Sequence, residues 1–157
     1  MNKNENRELL PGFTIRRMKK EDVEAVSQIE AECFSMPWSE AAFRDVLEDE
    51  KSLYLVADSA SGVVGMCGVT KILDEGDINN VAVKPAYRGK GIAQCLMEEL
   101  IRQGEETGIV DFTLEVRVSN AAAIRVYEKA GFVSEGIRPG FYEYPREDAM
   151  IMWRRGR

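Results

Sequence analysis

The residues best suited to chemistry on a ligand are Arg88, Gly89, Lys90 and Gly91, set between the apolar run Val81-Ala82-Val83 and an apolar-striped segment that opens with Ile92-Ala93. A strand, a glycine-rich turn and a helix in that order make a seat for an anion. The first N–H groups of a helix lack intrahelical partners and lie at the positive end of its dipole, worth roughly half an elementary charge. Glycine lets the backbone approach the anion closely, and Arg88 and Lys90 add formal charge in a chain of net charge −6. The spacing narrows the choice of ligand. A P-loop needs a hydroxyl residue for magnesium after its Gly-Lys, and here Ile92 and Ala93 follow the last glycine; a dinucleotide fingerprint needs a third small residue where Gln94 stands.

The chain contains no histidine, so Ser-His-Asp and Cys-His mechanisms are excluded and any general base is a carboxylate, a tyrosine, a lysine, a cysteine or a water. Cys33, Cys67 and Cys95 are odd in number, widely spaced and in apolar surroundings, which predicts buried free thiols rather than disulfides or a metal site. Net charge −6 disfavours nonspecific nucleic-acid binding and suits a basic peptide or an amine. With 157 residues, 45% apolar and 31% charged, one domain over 12–157 behind a flexible tail over 1–11 is expected. No run of apolar residues is long enough to span a membrane and the first residues are polar, so a cytoplasmic setting is expected, where thiols stay reduced.

These residues need a frame to position them. Phe13 to Met18 alternates as an edge-like strand, and Val23, Val26, Ile29, Glu30 and Cys33 have helical spacing over about 20–33, stopping near Pro37. Ser39 caps a second helix whose buried stripe is Ala42, Phe43, Val46 and Leu47. Residues 53–57 and 63–72 read as a hairpin, and 77–83 as a strand entering the glycine turn. A helix from about Gly89 to Thr107 turns Ile92, Leu96, Leu100 and Ile101 inward, and Gly108 stops it. A strand over 112–118, a helix from Asn120 to Ala130 and strands over 132–138 and 147–153 complete a mixed α/β order with one parallel crossover beside the turn.

Arg88-Gly89-Lys90-Gly91-Ile92-Ala93 fits the pattern R/Q-x-x-G-x-G/A, and the segment resembles the acetyl-CoA pyrophosphate loop of the GCN5-related N-acetyltransferases (GNAT). Further blocks extend the likeness over nearly the whole chain: Ile29-Glu30-x-x-Cys33-Phe34-x-x-Pro37-Trp38-Ser39, Leu114-Glu115-Val116-Arg117-Val118-Ser119-Asn120, Tyr127-Glu128-x-x-Gly131-Phe132, and Glu147 to Met152. The first two are similar to the ribosomal-protein-alanine N-acetyltransferase branch. The resemblance implies a mixed, mostly antiparallel sheet flanked by helices, with one parallel strand pair splayed at the acetyl-CoA site. It implies transfer of acetyl, without a metal, from acetyl-CoA to the N-terminal α-amine of a small-subunit ribosomal protein, a basic partner. Acetylation of a lysine, a polyamine or another small amine, or noncatalytic acyl-CoA binding, are the alternatives.

By the same resemblance Glu115 is the base and Tyr127 the acid that protonates the departing thiolate. The residues alone leave this open. Asp111, Thr113, Glu115 and Arg117 alternate with apolar neighbours as the polar face of any strand would, and Ala123, Tyr127 and Ala130 share one helical face. The backbone of Val81, Ala82 and Val83 is implied to hold the pantetheine arm, and Asn120 to touch CoA, though it is equally a plain N-cap. Pro37, Trp38, Phe141, Tyr142 and Tyr144 are candidates for the acceptor groove. Apolar burial raises a thiol's pKa, so direct transfer is expected rather than an acetyl-cysteine route.

Overall fold

A computed structural model describes residues 7–156. Its strands are β1 (Arg7–Leu10), β2 (Phe13–Arg17), β3 (Ser52–Ser59), β4 (Gly62–Ile72), β5 (Glu75–Val83), β6 (Asp111–Arg117), β7 (Val133–Glu143) and β8 (Arg146–Arg154). The helices are α1 (Val23–Cys33), α2 (Glu40–Glu48), α3 (Ile92–Glu106) and α4 (Ala121–Lys129). All strands join one sheet in the order β1-β2-β3-β4-β5-β6-β8-β7. Neighbours are antiparallel except β5 and β6, which α3 connects. Among the described residues no helix is long and apolar enough to cross a membrane.

Successive strand residues point to opposite faces, and each face has its own core. Leu55 packs with Leu96, Met97, Leu100 and Phe112 on the α3 side. Tyr54 and Val56 pack with Val26, Ile29 and Phe43 on the α1/α2 side. Ser39 caps α2 as expected, its hydroxyl accepting the Ala42 N–H at 3.2 Å.

Three expectations are corrected. Arg7–Leu10 pairs with β2, so the tail expected over 1–11 contains a strand; Pro11-Gly12 turns the chain back, with Gly12 at φ 84°, and Leu10 reaches the core. Residues 1–6 lie outside the described residues. Helix α3 begins at Ile92 rather than Gly89, because Gly89 and Gly91 take φ of 78° and 86°, left-handed values a helix cannot include. Of the thiols only Cys67 is fully buried; Cys33 and Cys95 are half-buried.

Two details of the sheet matter for the site. The β4/β5 register passes from Gly68↔Asn80 to Val69↔Ile78, leaving Asn79 as an extra residue in a bulge. Asp77 and Asn80 therefore both face α1/α2, while Ile78 and Val81 face α3. In addition, Tyr54 lies across its cross-strand partner Gly68, and a Cβ at position 68 would clash with the Tyr54 ring. That close approach lets the Tyr54 hydroxyl reach Asn80. Gly68→Ala is expected to destabilise the fold by about 1–3 kcal/mol through overpacking; denaturant unfolding that shows no loss would mean Tyr54 can be displaced freely.

Candidate functional site

Strands β5 and β6 pair only at Glu75↔Asp111, Gly76↔Phe112 and Asp77↔Thr113. Beyond these they part, although β5 runs on to Val83 and β6 to Arg117. A V-shaped opening results. The Lys84 N–H donates to the Val64 carbonyl of the β4 side at 2.8 Å, so by alternation the Ala82 backbone faces β4 while Val81 and Val83 aim their N–H and C=O groups into the opening. Of the three residues expected to hold pantetheine, Val81 thus turns both backbone groups to the opening and Val83 its N–H, the Val83 carbonyl being taken by Arg88 and Cys33, while the Ala82 backbone faces β4.

At the wide end of the opening lies the glycine turn. Gly91 is the N-cap of α3 and has no side chain to cap it, so the N–H groups of Ile92, Ala93 and Gln94 precede the first helical bond, from Cys95 N to the Gly91 carbonyl at 3.1 Å. The Ile92 side chain is buried in the core, which leaves its N–H as what it can present. Lys90 is exposed. Arg88 turns back to the strand: its Nε donates to the Val83 carbonyl at 3.3 Å and its Nη2 to Cys33 Sγ at 3.3 Å. Cys33 Sγ also donates to the Val83 carbonyl at 3.5 Å. Asn120 caps α4 through Oδ1, accepting from Ala123 N at 3.2 Å, and keeps its amide NH₂ for another partner.

At the narrow end, on the α1/α2 face, Glu115 lines a cavity of about 280 Å³ together with Glu75, Asp77, Thr113, Arg138 and Trp153. Burial raises the Glu115 pKa above the ordinary carboxylate range; Asp77 raises it further and Arg138 opposes. Burial also raises Asp77. Two part-buried carboxylates on one cavity form a group that favours a cation and holds a proton more readily than free carboxylates do. Sequence reasoning finds Glu115 and misses Asp77 and Arg138. Asp77 carries a readable signal, as the one charged residue between Gly76 and Val83.

Tyr127 stands on the other face, buried in the α3-side core with its ring edge-on to Phe132 at 6.2 Å. Burial above all, with Tyr142 and Cys67, drives its phenol pKa upward. Its hydroxyl has no protein hydrogen bond among the described residues. Tyr142 bridges the faces electrostatically. Burial and the nearby Glu115 push it up to about 12, against Arg117, and it acts in turn on Tyr127.

Arg117 fixes the tip of the β7/β8 hairpin. Its guanidinium lies 4.3 Å from the centre of the Tyr142 ring and donates to the Tyr144 carbonyl at 3.0 Å, the Pro145 carbonyl at 2.8 Å and Glu147 at 3.2 Å. Glu147 also accepts the Ser119 N–H at 2.8 Å. Tyr144 and Phe141 remain exposed at the tip. Across the site, the half-buried Trp38 ring packs 5.4 Å from Phe43 and 6.3 Å from Tyr54. The exposed apolar residues beside it are Phe34, Met36 and Pro37. Phe34 and Met36 escape a reading by periodicity because they fall outside any helical stripe.

The profile of the Acetyltransferase (GNAT) family matches residues 23–132. The chain is 37% identical over 140 residues to the putative ribosomal protein bS18-alanine N-acetyltransferase of Bacillus subtilis, covering 88% of this chain and 93% of that protein. The crystal structure of the ribosomal-protein-S18-alanine N-acetyltransferase from Escherichia coli matches with a TM-score of 0.81 and 36% identity, over 90% of this chain and 92% of that one. The structure of Ard1 from Thermoplasma volcanium matches with a TM-score of 0.83 and 30% identity, over 92% and 97% respectively.

Proposed function

Because the chain belongs to the acetyltransferase (GNAT) family, whose acyl donor is acetyl-CoA, we propose that it acetylates the N-terminal alanine α-amine of a small-subunit ribosomal protein, with Glu115 as base and Tyr127 as acid. The observation that carries the residue roles is the position of Glu115 two residues past Thr113, the last β6 residue paired with β5. An acyl group in the opening and an amine entering from the α1/α2 face would meet there. The acceptor rests on the likeness to the bS18-alanine enzymes, and a cytoplasmic setting goes with it.

In this reading the backbone of Val81 and the Val83 N–H hold the pantetheine amides as an added strand would, and the pyrophosphate lies on the N–H groups of Ile92, Ala93 and Gln94, with Lys90 nearby. Asn120 can reach CoA with its amide NH₂. The acceptor enters between the exposed turn at Phe34, Met36 and Pro37 and the hairpin tip that carries Tyr142 and Tyr144. Glu75, Asp77 and Glu115 attract its cationic amino end. The ammonium gives a proton to Glu115, and the neutral amine attacks the thioester carbon; the C–S bond breaks and the sulfur takes the proton of Tyr127, after which the second nitrogen proton is lost through solvent, Tyr127 regains one and Glu115 releases its own.

Two measurements test this. With a peptide that begins with alanine and also carries a lysine, mass spectrometry is expected to find acetyl on the α-amine alone; acetylation of the lysine alone would overturn the acceptor. The pH dependence tests the base. Glu115 must be ionised to act, so activity falls as pH drops through its pKa, which burial and Asp77 hold above the ordinary glutamate range. Asp77→Asn removes the neighbouring charge and is expected to move the acid limb of kcat/KM to lower pH, whereas Arg138→Gln moves it to higher pH. A limb that stays fixed in both variants belongs to another group.

A further inference from the structure

Glu30 takes no part in the reaction described above, yet it is only 3% exposed, among Val26, Ile29, Phe43 and Tyr54. No cation pairs with it among the described residues. Its Oε2 accepts the backbone N–H of Trp38 at 3.1 Å, and Asn80 Nδ2 donates to both its oxygens at 3.2 and 3.3 Å. Asn80 Oδ1 accepts the Tyr54 hydroxyl at 2.5 Å. Burial raises the Glu30 pKa while Trp38 and Asn80 hold it down. Packing alone would be served better by an apolar residue of similar volume, because an unpaired buried carboxylate is costly.

What the carboxylate provides is a joint. It fastens the turn at 34–39 to β5 one residue before Val81, on the side of the bulge that faces α1/α2. We propose that Glu30 is a positioning residue that sets the Phe34 to Trp38 turn against the donor strand, and so shapes the acceptor side of the site. The proposal rests on the acceptor reading above. Its consequence is a separation of effects: loss of the joint displaces the wall the peptide meets, while Val81, Val83 and the α3 N-terminus keep their places.

Three variants test it, each assayed with a peptide beginning with alanine and checked by thermal melting. Glu30→Ala removes the acceptor for Trp38 N–H and Asn80. Asn80→Asp sets two carboxylates face to face. The double variant Glu30→Gln, Asn80→Asp rebuilds the joint with roles exchanged. The amide introduced at position 30 accepts from the Trp38 N–H through its carbonyl and donates its NH₂ to the carboxylate introduced at position 80, which still accepts from Tyr54. Each single variant is expected to raise the peptide KM about tenfold or more, as for loss of a charge-assisted hydrogen bond, with kcat and the acetyl-CoA KM within about twofold. The double variant is expected to bring the peptide KM back to within about threefold of wild type. If Glu30→Ala does not fold, Asn80→Asp and the double variant decide. Equal changes in the acetyl-CoA KM, or a folded double variant without recovery, overturn the proposal. A wild type that acetylates only lysine overturns the acceptor reading instead, and the same KM split, read with that substrate, then decides the role of Glu30.

Discussion

Glu115→Gln is expected to lower the single-turnover rate at neutral pH by about 10²–10⁴, the usual contribution of a positioned base, with acetyl-CoA binding and thermal stability unchanged. The amide matches the carboxylate in size, so the cavity of Asp77, Thr113 and Arg138 keeps its packing, and the loss is confined to proton acceptance. An α-amine with a pKa of about 8 is roughly a tenth neutral at pH 7, whereas a lysine near 10.4 is below about a thousandth. The variant should therefore recover as pH rises towards about 8 and the amine deprotonates in solution. Activity left at neutral pH reflects approximation of the amine and thioester. An unchanged single-turnover rate would show that Glu115 is an ordinary residue of the polar face of β6.

Tyr127→Phe is the second large effect, with kcat expected to fall by about 10². Phenol and thiol have reference pKa values of about 10 and 8.5, and burial moves the Tyr127 phenol further up. It therefore stays protonated throughout the neutral range and can donate to the thiolate, but it adds no basic limb of its own there. Only a hydroxyl without a protein hydrogen bond is removed, and the ring contact with Phe132 at 6.2 Å is kept. Stability should change by no more than about 0.5 kcal/mol. If kcat is unaffected while Tyr127→Ala unfolds the protein, the residue serves the core alone.

The frame is largely readable because its signals are local. Periodicity marks α1 to α4, Ser39 and Asn120 cap helices by a single side chain, and Arg88 to Ala93 carries its turn in two glycines. What escapes depends on partners distant in the chain. Glu30 looks like one more helical acid until Asn80, fifty residues later, is brought against it. Asp77 matters because β5 pairs with β6 for only three residues before parting. The bulge at Asn79 is silent, since Ile78-Asn79-Asn80-Val81 reads as a polar interruption in an alternating strand. Strand β1 is easily overlooked because its short apolar end at Leu9-Leu10 follows a polar start, although Pro11-Gly12 announces the turn.

The bulge at Asn79 gives β5 a parity. Before it, odd-numbered Asp77 faces the acceptor side; after it, even-numbered Asn80 and Ala82 do, and odd-numbered Val81 and Val83 face α3. One strand thus serves the carboxylate cavity, the Glu30 joint and the opening in two successive phases. Substitution at a single position disturbs one of these. Loss or gain of one residue between Ile78 and Val83 would put the strand back in phase and move whole sets of side chains to the wrong face. The length of this segment, more than its composition, is therefore what any descendant of the chain has to preserve.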